Sequence, residues 1–217
     1  MSDIILSGVT KSFGREILHS LSFTVDSGDF LSITGESGSG KSTLLSIMGG
    51  VLRPDSGSVT IGGIDIASLS EKDLAVMRRT RLGYVYQFFN LIPTMTVREN
   101  ICLPLVLDGK KPSAYKEKFD ELVEITRLGG VLDSYPDVLS GGEQQRAAIL
   151  RALIHDPEVI LLDEPTGNLD SENADAVMRL LADLNRAYGV TVVQVTHSEH
   201  GAGYGNRVIT LKDGRIL

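Results

Sequence analysis

Short apolar runs broken by Gly, Asp and Ser open the chain, and Ile4–Val9, Leu21–Val25 and Phe30–Thr34 predict strands. Leu44–Val51 is apolar with helical spacing and is stopped by Arg53-Pro54-Asp55-Ser56-Gly57. A hairpin is expected around Gly62-Gly63. Ser70 then opens a helix, with Asp73 at capping-box spacing. Leu82–Tyr86 reads as a buried strand. The period then changes from two to 3.6: Thr96–Leu107, Ser113–Leu128 and Gly141–Ile154 predict helices, the second with a solvated face of Lys116, Glu117, Lys118, Asp120, Glu121 and Glu124. Alternation of strand and helix returns with Val159–Leu162, the amphipathic stretch Ser171–Tyr188 closed by Gly189, and Val190–Val195. The chain ends in a strand-turn-strand, Arg207–Leu211, Asp213-Gly214, Ile216-Leu217. The pattern predicts an α/β core, residues 1–87 and 158–217, interrupted by a helical insert over about 88–157, all within a single domain of 217 residues.

Composition narrows the partners. Apolar residues make up 42% and charged residues 23% of the chain, as in ordinary globular proteins. A net charge of −7 argues against charge-driven binding to nucleic acid. The lone Cys102 excludes an internal disulfide and sits in an apolar helical pattern, where an inert packing role is expected. The N-terminus has no basic start followed by an apolar core, and no apolar stretch reaches the ~20 residues that span a bilayer. The expected location is the cytoplasm, or a membrane reached through a partner.

The stretch GESGSGKST follows a predicted strand and opens a predicted helix, the context a phosphate-binding loop requires. Gly35, Glu36, Ser37, Gly38, Ser39 and Gly40 would wrap backbone amides around phosphate oxygens, aided by the helix dipole. Lys41 would bridge the β- and γ-phosphates, Ser42 would bind Mg²⁺, and Thr43 would steady the α-phosphate. The bland rival is a Gly/Ser connector. Such a loop calls for a second strand ending in carboxylates, and VILLDEP supplies it. Asp163 is placed to hold Mg²⁺ through water and Glu164 to orient or deprotonate the attacking water, although a merely solvated strand end would read alike.

LSGGEQQR, residues 139–146, lies between these two motifs. Alone it would be a helix N-cap with flexible glycines. In the order GESGSGKST, LSGGEQQR, VILLDEP, the whole chain resembles an ATP-binding cassette (ABC) ATPase. That resemblance implies a P-loop NTPase core carrying an N-terminal antiparallel β-subdomain and an inserted α-helical signature subdomain. It implies further roles: Gln87 as the Q-loop glutamine that senses Mg²⁺ and the γ-phosphate, Asp170 in the D-loop, His197 as the switch histidine at the γ-phosphate, and Phe13 stacked on adenine, for which a core phenylalanine is the rival. Ser140, Gly141, Gly142 and Glu143 would face the γ-phosphate held by a second copy, so the implied state is an ATP-gated dimer.

TGNLDS and FFNLIPTMTVRENICLPL resemble the ATPases of lipoprotein-release, macrolide/peptide-export, haem-export and cell-division systems. The implied function is ATP hydrolysis that drives a separate integral-membrane permease, from the cytoplasmic face and without touching the transported substrate. A division-type complex that regulates an enzyme outside the cell, and a permease-free cytosolic ATPase, stay open as alternatives. Phe88, Phe89, Leu91 and Ile92 are the candidate anchors for a permease helix, or else fill the hinge between core and insert. HGAGYGNRV, residues 200–208, is a glycine-rich departure that puts the helix expected there in doubt.

Overall fold

The computed structural model describes residues 2–217. Strands β1 (Ser2–Phe13) and β2 (Arg15–Asp26) form a long hairpin turned at Gly14, and β4 (Ser56–Ile61) and β5 (Ile64–Asp65) extend it to the order β2-β1-β4-β5. The hairpin is longer than its apolar pattern indicates. Phe13 pairs with Arg15, Ser12 with Glu16 and Lys11 with Leu18, so ladder hydrogen bonds carry it through polar residues to a solvated tip.

The second sheet runs β10-β9-β3-β8-β7-β6, from β10 (Arg215–Ile216), β9 (Arg207–Lys212), β3 (Phe30–Thr34), β8 (Thr191–Thr196), β7 (Val159–Asp163) and β6 (Leu82–Val85). It is parallel from β9 to β6, and β10 alone is antiparallel. The central strands are apolar on both faces, as covered parallel strands must be. Leu31, Ile33, Leu161, Val193 and Val195 point to one side, against helix α1 (Lys41–Met48) and the inner face of the antiparallel sheet. Phe30, Ile160, Leu162 and Val192 point to the other, against α5 (Gly141–Leu153) and α6 (Ser171–Tyr188). This second core continues into α3 (Val97–Leu107) and α4 (Lys116–Thr126), while α2 (Glu71–Thr80) packs on the first.

The helices begin where side chains can cap them. Ser70, Thr96, Ser140 and Asp170 accept from backbone amides at the starts of α2, α3, α5 and α6. The helix expected over 113–128 is shorter: Pro112–Tyr115 forms a 3₁₀ turn, and α4 ends where Arg127 takes a left-handed conformation. In the glycine-rich departure a single turn survives as α7 (Glu199–Ala202), capped by Ser198.

Leu161, fully buried at the centre of β7, supports α1 from beneath. Leu161→Ala is expected to cost about 2–5 kcal/mol, as large-to-small core changes do. Urea unfolding should show a lower midpoint with unchanged slope; a loss below about 1 kcal/mol would mean that the site collapses around the smaller side chain.

Candidate functional site

Helix α1 starts differently from the capped helices. Its N-cap is Gly40 at φ 103°, with no side-chain cap and no acidic residue in its first turn. A left-handed residue is needed there to turn the loop into the helix, and glycine takes that conformation without steric cost. The first amides of α1 therefore keep their capacity to bind an anion. Lys41 lies across the loop, donating from Nζ to the carbonyls of Gly35 (2.8 Å) and Glu36 (2.9 Å). An ammonium has three donors, so one is left for a ligand. The Ser39 hydroxyl oxygen is buried on this loop without a partner among the described residues. A polyanion fits this set: uncapped amides, a fixed ammonium and an unpaired hydroxyl.

Strand β7 delivers the carboxylates. Ser42 Oγ donates to Asp163 Oδ1 at 3.0 Å, which puts the hydroxyl and the carboxylate side by side below the loop. Burial pushes the Asp163 pKa up; the bond from Ser42 opposes this, the Glu164 charge adds to it, and Lys41 opposes it. A hard divalent cation suits that all-oxygen pair. Among the described residues no three or more His, Cys, Asp or Glu side chains gather into a metal cage, and Mg²⁺ in nucleotide sites takes only one or two carboxylates, completing its shell with phosphate and water. Glu164 turns the chain away from the strand at φ 47°, its amide donating to Val195 O at 3.0 Å. The neighbouring strand β8 ends at Thr196, and His197 follows. Its Nδ1 lies 3.0 Å from Glu164 Oε2, and its backbone N–H donates to the same oxygen at 3.3 Å.

These groups share one cleft of about 470 Å³, lined by Phe13, Ser37, Gly38, Lys41, Ser42, Thr43, Gln87, Glu164 and His197. Phe13 stands at the hairpin tip, 58% exposed, with Lys11 Nζ 5.5 Å from its ring centroid. The core alternative for Phe13 is therefore excluded, and Lys11 sits over one face of its exposed ring. Gln87 follows β6, and its backbone carbonyl accepts from Asn168 Nδ2 at 2.6 Å, which ties it to the 166–170 turn. Arg15 and Ile17 also line the cleft and were missed in the sequence, because they belong to the polar part of β2 and carry no motif.

The residues of the LSGG motif stand apart from this cleft. Ser140 Oγ donates to Glu143 Oε2 (2.7 Å) and accepts from the Glu143 amide (3.4 Å), a complete capping box at the start of α5. A Cβ on Gly142 would lie 2.6 Å from Asn173 Oδ1 of α6, and one on Gly141 3.2 Å from Leu169. Asp170 caps α6 through Asn173, a bond that holds its pKa below the usual carboxylate range. Ser140, Gly141, Gly142, Glu143 and Asp170 thus form a second group within the same chain.

The ABC transporter family model matches residues 18–167. An uncharacterized ABC transporter ATP-binding protein of Mycobacterium tuberculosis is 45% identical over 203 residues, covering 94% of this chain and 82% of the relative. The bacitracin export ATP-binding protein of Halalkalibacterium halodurans is 40% identical over 221 residues, covering 100% and 87%. Among solved structures, a dimeric post-hydrolysis ATP-binding cassette bound to ADP and Pi superposes with a TM-score of 0.89 at 39% identity, covering 98% of this chain and 96% of that one.

The raised pKa of Asp163 has a sign. The folded state holds the proton more tightly than the unfolded chain, so this group's contribution to stability is lost as pH rises from the ordinary carboxylate range through the raised value. Asp163→Asn should therefore melt higher than wild type at neutral pH, with the gap closing towards pH 3. A gap that is absent at pH 7, or that widens on acidification, would contradict the assigned cause.

Proposed function

This chain belongs to the ABC transporter family as an ATP-hydrolysing subunit, and we propose that it works as one half of an ATP-closed dimer driving a separate membrane permease. The observation that carries the reading is the convergence of Lys41, Ser42, Glu164 and His197 on one cleft, with Asp163 bonded to Ser42 at its base. We read residues 1–87 and 158–217 as the nucleotide-binding core and about 88–157 as the helical subdomain.

In the proposed mechanism the α1 amides and Lys41 hold the triphosphate, and Phe13 stacks on the base. Ser42 and Asp163, with Gln87, would hold Mg²⁺, and the bound cation would neutralise charge on the phosphate oxygens. Glu164 Oε2 is taken by His197, which leaves Oε1 to orient and deprotonate the attacking water. With Nδ1 engaged by a carboxylate, the His197 ring must carry protons on both nitrogens to donate from Nε2 to a phosphate. None of Ser140, Gly141, Gly142 or Glu143 lines the cleft of its own chain, so they are assigned to the γ-phosphate of a second copy, with Asp170 beside them.

No helix among the described residues is long and apolar enough to cross a membrane, and the chain is assigned to the cytoplasmic face through its permease. The docking groove is a cavity of about 350 Å³ between core and helical segment, with Val51, Tyr84, Tyr86, Leu107 and Arg151 in its walls. None of the expected anchors Phe88, Phe89, Leu91 and Ile92 lines this cavity. Phe89 and Leu91 pack against the core, as the hinge alternative requires, while Phe88 stays 71% exposed. Arg151 links groove to site: its guanidinium donates to the carbonyls of Asn90 (2.6 Å) and Phe89 (2.7 Å), bracing the turn after Gln87.

Glu164→Gln should bind ATP yet hydrolyse it about 10²–10⁴-fold more slowly, and should accumulate as a dimer in size exclusion with MgATP. Hydrolysis near the wild-type rate would remove Glu164 from the role. Leu107, 64% exposed at the groove, tests the partner. Leu107→Asp should leave the isolated subunit's ATPase within about twofold of wild type, as distant surface changes do, while co-purification of the permease is lost. Retained co-purification would place the permease elsewhere.

A further inference from the structure

Gln194 is the anomaly of strand β8. It is fully buried between Val193 and Val195 in a strand that is buried throughout. Its neighbour in the ladder is Ser32 of β3, which is also fully buried. Gln194 Nε2 donates to Ser32 Oγ at 2.8 Å and to the carbonyl of Gly201 at 2.9 Å, and the Ser32 hydroxyl in turn donates to the carbonyl of Ala202 at 2.9 Å. Gln194 Oε1 has no partner among the described residues. A buried amide oxygen left unpaired carries a desolvation penalty, so an apolar residue would serve β8 better if packing alone were at stake.

The bonds from Gln194 close a loop at its base. The strand leaves the sheet at Thr196, passes through His197, and returns in α7, whose carbonyls Gly201 and Ala202 are the ones held. Inside the loop Ser198 N–H donates to Thr196 Oγ1 (3.0 Å) and Gly201 N–H to Ser198 Oγ (3.0 Å). The glycine-rich run fits the same purpose. A Cβ on Gly205 would lie 2.5 Å from Phe30 O and 2.6 Å from Ser32 Oγ, so only glycine lets the chain descend onto β3 at this point. The other tie on α7, His200 to Asp175 at 2.6 Å, is solvent-exposed and correspondingly weak.

We propose that Gln194 is a positioning residue for hydrolysis: with Ser32 it anchors the Gly201–Gly205 segment and so holds His197 against Glu164. The proposal rests on the assignment of His197 to the reaction given above. It is tested with Gln194→Met, which keeps the volume and removes the donors, and with Ser32→Ala should the first variant not fold. Expected is a fall in kcat of about tenfold to a hundredfold, the scale on which small misplacements act, with unchanged affinity for trinitrophenyl-ATP. The His197 Nδ1 resonance in ¹⁵N NMR should move in the same direction as in Glu164→Gln. An unchanged kcat, a loss confined to nucleotide affinity, or a lower kcat with the His197 resonance at its wild-type position would overturn the proposal. His197→Ala separates the two readings. If it hydrolyses at the wild-type rate, the role of His197 fails; if it is impaired while Gln194→Met is not, only the positioning role fails.

Discussion

An acidic protein that binds a triphosphate has to supply positive potential locally, and here the uncapped end of α1 supplies it. Among the described residues, the α-helices α2, α3, α5, α6 and α7 start with a capping hydroxyl or carboxylate that satisfies one of their first amides. Had α1 been capped likewise, its amides would be spent on the chain itself. Gly40 leaves them open, and the fold must then fix where they point. Leu161 and the rest of the core beneath α1 hold the helix, and the Lys41 bonds to Gly35 and Glu36 hold the loop. Everything else at the site is arranged with respect to that direction.

The parallel sheet makes the arrangement possible. Strands β3, β8 and β7 are adjacent, and all three run towards the loop, so the residues just beyond their ends meet although they lie far apart in sequence. Gly35 follows β3, Asp163 ends β7 with Glu164 after it, and His197 follows β8. The Glu164–His197 contact starts from two neighbouring strands that stop level. Asp163 is registered with Val195, and Glu164 N–H still reaches Val195 O. The partial burial that raises the Asp163 pKa is the cost of putting a carboxylate at the foot of the loop, and a cation there would offset it.

The chain announced some of this and hid the rest, for physical reasons. The loop GESGSGKST and the acidic end of VILLDEP were legible because glycine-dense turns and carboxylates after an apolar strand are rare without a ligand. The cores were legible from periodicity, and the capped helix starts at Ser70 and Ser140 from their own residues. The polar half of the first hairpin was not, since backbone pairing sustains it and leaves no hydrophobic signal; Arg15 and Ile17 went unnoticed with it. Phe89 read equally as a permease anchor or a hinge filler, and it packs against the core, because its left-handed conformation and that of Asn90 bend the chain back on itself under Arg151. Gln194 gave no sign, since one polar residue within an apolar strand acquires meaning only when its partners across the sheet are known.

In the proposed dimer Ser140 would serve two purposes in turn. In the single chain its hydroxyl donates to Glu143 Oε2, and its oxygen accepts from the Glu143 amide. The box is complete, so the Ser140 and Glu143 amides at the start of α5 are satisfied within the single chain. In the proposed dimer the γ-phosphate of the second copy would arrive at this same helix start, where amides and dipole favour negative charge. The phosphate and Glu143 then compete for one hydroxyl proton. The Ser140 bonds already hold the Glu143 pKa below the usual carboxylate range. Engagement of Ser140 by phosphate therefore requires Glu143 to turn away from an approaching anion of the same sign. In the proposed dimer the capping box would act as a placeholder, keeping the helix start ordered until the phosphate of the second copy arrives.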